Sequence, residues 1–80
     1  MAGLTEREKE WADRARRYLK AELKRADLTY AELARRLNEH GMEETAGSVG
    51  AKLVRGTFPV TFFLACLVVL GITALVIADI

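Results

Sequence analysis

The sequence predicts an all-α fold of four helices with a short C-terminal strand, in a single unit over residues 1–80. Three observations predict it. Thr5 and Thr29 each stand three residues before a glutamate, the spacing of a reciprocal helix N-cap. Gly41, Gly56 and Gly71 each follow an apolar-periodic run, where a left-handed residue ends a helix. From Gly56 to Ile80 the only charge is Asp79, so a polar helical body runs into an apolar end. The expected extents are 5–26, 29–40, 45–55 and 59–70 for the helices and 72–80 for the strand.

Helix one follows from Thr5 and Glu8 and from the lack of Gly or Pro as far as Ala26. Ala12, Ala15, Leu19, Leu23 and Ala26 trace one face, widened by Trp11 and Tyr18. Helix two begins at the Thr29–Glu32 capping box, with Leu28 and Leu33 as its hydrophobic staple and Leu33, Ala34 and Leu37 as its inward stripe. Helix three is capped by Thr45, buries Ala46, Val49 and Leu53, and closes at Gly56. Gly47 and Gly50 lie inside it, each costing about 1 kcal/mol relative to alanine, which makes sense where something approaches the backbone closely. Helix four starts at Pro59, whose missing N–H costs nothing in a first turn. From Val60 to Leu70 it is apolar on all sides and should be buried on all sides. ITALVIADI, 72–80, is rich in β-branched residues and reads as a strand with two apolar faces.

Eighty residues bury only roughly 60% of their unfolded surface, so the core is marginal and a partner is expected. Twelve Lys and Arg against eleven Asp and Glu leave the chain near neutral, which argues against an arm that binds nucleic acid by charge alone. The distribution is uneven. Arg14 to Arg36 holds eight basic residues against Glu22, Asp27 and Glu32, either a solvated helix face or a surface for phosphates or an acidic partner. One cysteine, Cys66, excludes a disulfide framework and a Cys-rich zinc site and fits a reducing, cytoplasmic compartment. MAGLTEREKE carries both signs of charge and no apolar core, unlike a secretory signal.

The apolar end has two readings. Helix four and the terminal strand form a homodimer interface through Phe62, Phe63, Leu67, Ile72, Leu75 and Ile77, or 58–78 spans a membrane as a tail anchor flanked by Lys52 and Arg55.

The order of LTYAELARRL (Leu28 to Leu37), LVRG (Leu53 to Gly56) and LGI (Leu70 to Ile72) resembles the phage-repressor type of helix-turn-helix domain. More closely, Trp11 to Ile72 resembles a family of small bacterial domains of unknown function, family 6471. The shared features are a Trp-initiated basic first helix, TYAELA, EET, the K-x-x-RG-T-F turn and FF-L-x-C-L-x-x-LG. That resemblance implies a soluble four-helix unit without an established activity. Leu37 and Gly56 are nineteen residues apart, more than the repressor layout leaves, so the turn between helices two and three is longer. Glu43 and Glu44 sit in that turn, where they would repel phosphates.

The functional expectation is a DNA-binding homodimer. Thr45, Ser48, Lys52 and Arg55 of helix three meet bases or phosphates of double-stranded DNA, and Arg35 and Arg36 meet the backbone. Lys52 and Arg55 equally fit a role offsetting the helix C-terminal dipole. The alternative is a protein-interaction or oligomerisation module that ignores DNA. His40 stands alone, so no metal site is expected. No nucleophile–base pair, carboxylate pair or phosphate-cradling loop points to a catalytic residue, cofactor or small-molecule substrate, and no enzyme is expected.

Overall fold

The computed structural model describes residues 5–80; residues 1–4 of the expected unit lie outside them. It holds four helices, α1 (Glu6–Arg25), α2 (Tyr30–Glu39), α3 (Ala46–Arg55) and α4 (Val60–Val69). Thr5 caps α1 reciprocally: its hydroxyl accepts the Glu8 N–H at 3.1 Å and its own N–H donates to Glu8 Oε1 at 2.9 Å. Thr29 caps α2 on one side only. Its hydroxyl accepts the Glu32 N–H at 3.1 Å, but the Glu32 carboxylate turns to Arg35 and Arg36, because two guanidiniums one turn on outcompete a backbone amide.

Three helices end in the same way. The amides of Leu28, Met42 and Ile72 reach back five residues to the carbonyls of Leu23, Leu37 and Leu67, and the residue before each, Asp27, Gly41 or Gly71, has positive φ. This is a Schellman closure, and the apolar residue that completes it joins the core each time. Asp27, at φ 57°, holds the left-handed position without being glycine. Gly56 ends α3 at φ 76°, and a Cβ there would come within 3.2 Å of the Ala12 carbonyl oxygen. Only glycine meets both demands.

The core is one cluster drawn from all four helices: Leu19 and Leu23, Leu33, Ala34 and Leu37, Val49 and Leu53, and Phe62, Cys66 and Leu67. Phe62 is its largest fully buried side chain. α2 packs on α3 and α4, and α1 packs on α3.

Four expectations are corrected. No strand forms among the described residues: Ile72 is used to close α4, no second strand exists there to pair with 72–80, and the tail has a single 3-10 turn at Ile77–Asp79 and is tied to α1 where Arg14 donates to the Ile80 carbonyl at 2.9 and 2.6 Å. α4 is not buried all round, since Val60, Leu64 and Val68 are exposed. Trp11 does not widen the core face; it is exposed beneath the Arg14 guanidinium, which lies 4.4 Å from its ring centroid. Finally, no single helix among the described residues is long and apolar enough to cross a membrane. The positive φ of Gly71 ends α4 after ten residues, about half a bilayer span, and α3 and α4 meet at a bend of 118°.

Candidate functional site

The polar group around which the site is built is Glu44, at the end of the 40–45 link between α2 and α3. It is buried. The Asn38 side chain fixes its backbone from both sides, Nδ2 donating to the Glu44 carbonyl and Oδ1 accepting the Glu44 N–H, each at 3.1 Å. Ser48 Oγ donates to Glu44 Oε1 at 2.6 Å, and Lys52 Nζ pairs with Oε2. Lys52 also lies over the Phe62 ring, 4.8 Å from its centroid. The long link is thus tied to α2 by an amide and to α3 by an ion pair, and the acid beside α3 is neutralised rather than aimed at an incoming phosphate. Glu43 remains exposed.

Several residues expected to contact DNA have partners within the chain. Ser48 and Lys52 hold Glu44, and the Thr45 hydroxyl accepts the Ser48 N–H at 3.0 Å as the α3 cap. Arg35 grips Glu32 with two parallel hydrogen bonds, Nε to Oε1 at 2.9 Å and Nη2 to Oε2 at 2.7 Å, and reaches Glu39 at 3.1 Å. Arg36 Nε donates to Glu32 Oε2 at 3.0 Å. The two guanidiniums pull the Glu32 carboxyl down to about 2. Arg55 is exposed and, among the described residues, makes only a long bond, 3.4 Å, to the Thr57 carbonyl.

The outward face of α3 carries Thr45, Ala46, Gly47, Ala51, Val54 and Arg55, all exposed and none acidic. Its glycines differ. A Cβ on Gly50 would press on the Tyr30 ring at 3.3 Å, so that glycine lets α2 approach. A Cβ on Gly47 would meet nothing closer than the Thr45 hydroxyl at 3.7 Å. Beside the C-terminal end of this face a groove of about 310 Å³ runs between α1 and α3, with Lys9, Arg16 and Arg55 around Asp13.

The expected dimer residues are dispersed. Phe62 and Leu67 are buried in their own core and present nothing to a second copy. Phe63, Ile72 and Leu75 pack partly against that core, and only Ile77 is mostly exposed.

Sequence reasoning missed the Glu44–Lys52 pair. A usable signal existed: 48 and 52 share one side of α3 at four-residue spacing, next to the buried 49 and 53 rather than opposite them, and residue 44, just ahead of the Thr45 cap, continues that spacing. The remaining candidates are chemically quiet. Among the described residues no three His, Cys, Asp or Glu side chains gather as metal ligands. His40 Nδ1 lies 3.1 Å from the Arg36 carbonyl oxygen at the end of α2. Burial, with Glu44 nearby, pushes the Cys66 thiol up to about 12, so it is not an activated nucleophile.

Neither a curated protein nor a solved structure matches the chain. A family model described as a domain of unknown function (DUF6471) matches residues 11–75, from Trp11 in α1 to Leu75 in the tail.

Proposed function

The chain belongs to the DUF6471 family, whose description assigns no activity, and from its geometry we propose a non-enzymatic, cytoplasmic DNA-binding protein that acts as a homodimer. In this reading α2 and α3 work as a helix-turn-helix-like pair and α3 faces the major groove. One observation carries it: the outward face of α3 is uncovered and free of carboxylate, because Glu44 is turned inward onto Lys52. Ala51 and Val54 suit thymine methyl groups, and Thr45 and Arg55 suit base edges or phosphates. Lys9, Arg16 and Arg55 line the adjoining groove; Arg16 is paired there with Asp13 and Lys9 with Glu6, which leaves Arg55, without an ion pair among the described residues, as the cation placed to meet a phosphate backbone. Ser48 and Lys52 hold the frame rather than touch DNA, and Arg35 and Arg36 reach phosphates only by leaving Glu32.

Fluorescence anisotropy with a pool of short mixed-sequence duplexes, titrated between about 50 and 200 mM salt, tests this. Affinity should fall with salt, and R55A should reduce the slope of log K against log salt by about 0.9, one phosphate contact. K52A should leave the slope unchanged. Absence of binding at the lower salt overturns the proposal. It would favour the second reading, a protein-interaction module, which the exposed apolar stripe Val60, Leu64 and Val68 supports.

A further inference from the structure

Between α1 and the tail that follows α4 lies a cleft of about 680 Å³, a size usual for small-molecule sites. The tail bridges it. At the near end Ile72 and Leu75 pack against the core, and at the far end Arg14 donates Nε and Nη2 to the Ile80 carbonyl. The two walls differ in chemistry. α1 supplies the guanidiniums of Arg14, Arg17 and Arg25 and the Tyr18 hydroxyl, while the tail supplies Ala74, Leu75 and Val76. Two carboxylates, Glu22 and Asp79, also line the cleft.

Hydrogen-bonding capacity is unbalanced across these groups. Arg17 pairs with Asp13 through Nη2 at 2.7 Å, and Arg25 with Glu22 through Nη1 at 2.5 Å. Each commits one nitrogen, and Arg14 two, of a group that carries five N–H donors. Asp79 is exposed and, among the described residues, pairs with none of them. Burial, with the Glu22 carboxylate nearby, pushes the Tyr18 hydroxyl above its ordinary pKa, so it stays protonated and adds a donor. We infer that this cleft binds a small amphipathic oxyanion, its carboxylate or phosphate seated among Arg14, Arg17 and Tyr18 and its apolar body along Leu75 and Val76. Positions 14, 17 and 18 are neighbours on one helix face, and a guanidinium fork suits either oxyanion. A bare inorganic ion would leave the tail wall wet, whereas an apolar chain gains by covering it. The inference goes beyond the duplex reading and does not depend on it.

Trp11 is the chain's one tryptophan and lies under the Arg14 guanidinium, so its fluorescence reads the site in the whole chain without DNA. Octanoate and octyl phosphate, each kept below micelle formation, should bind one to one and saturably, with Kd of about 1 mM or tighter. Octanol, lacking the oxyanion, and acetate, lacking the body, should each bind about tenfold more weakly or worse. R14Q and V76D should each weaken octanoate binding by about tenfold. Val76 is 57% exposed, so V76D should keep the parent's far-UV circular dichroism spectrum and melting temperature, which separates loss of the ligand from loss of the fold. Binding of one oxyanion and not the other supports the inference and identifies the headgroup. No saturable binding of either, octanol binding as tightly as octanoate, or V76D binding like the parent overturns it. So does association with phosphatidylglycerol vesicles alone, which marks a surface that follows membrane charge.

Discussion

Glu44 and Lys52 illustrate how one side chain decides what its neighbours are free to do. Removing Lys52 strands a carboxylate that has only 3% of its side chain exposed, with a serine hydroxyl as its remaining side-chain partner. K52A is expected to cost about 3 kcal/mol in urea unfolding, the low end for breaking a buried pair because Lys52 keeps some contact with water. Glu32 behaves differently, being accessible. Its carboxyl is pulled down to about 2 in the folded chain, from an ordinary value of 4.5, so its contribution is present above 4.5 and is lost as pH falls toward 2. E32Q should flatten that part of an acid titration followed by stability, and added salt should shrink the difference between the two proteins, since about a third of the Glu32 side chain meets solvent. Glu32 was legible as a helix-start residue from its distance to Thr29. Its choice of Arg35 and Arg36 was not, because sequence spacing offers it three partners and only side-chain geometry selects among them.

At the level of the helices, boundaries were the most readable feature and packing faces the least. Threonine caps and closing glycines are local chemistry, settled within a few residues, and the helix starts at Thr5, Thr29 and Thr45 follow from it. The tail 72–80 is the reverse case. Its β-branched residues favour extended backbone, but a strand is a relation between two segments, and α4 had already taken Ile72 to complete its closure. Gly47 separates stability from function within one element. Its Cβ position is open, so G47A is expected to stabilise the protein by about 0.5–1 kcal/mol, raising the melting temperature by several degrees in a domain of this size. If α3 lies against a duplex, the same methyl group should weaken binding in the anisotropy titration. A gain in both would place the contact elsewhere on the molecule.

The molecule as a whole stands on one core with Phe62 at its centre, touched by Lys52 from above and by the Phe58 ring at a centroid distance of 5.3 Å. Truncation of such a residue costs about 3–5 kcal/mol. That is comparable to the entire stability of a domain of this size at roughly 0.05–0.15 kcal/mol per residue. F62A is expected to lose its cooperative thermal transition, which calorimetry would register as a broad, featureless trace. The four-helix architecture was legible because apolar periodicity reports what must be covered. Which copy or partner covers the remainder was not, since Val60 and Phe62 look alike in sequence and differ only in which way α4 is turned. Cys66 lies inside the same core, fully buried, with its thiol pushed up to about 12. The protein therefore carries its own stopwatch: a thiol reagent at mildly alkaline pH can reach that sulfur only in molecules that have opened. The labelling rate of the unaltered chain reports how often the core comes apart, and a duplex or a second copy that holds the fold closed should slow the clock.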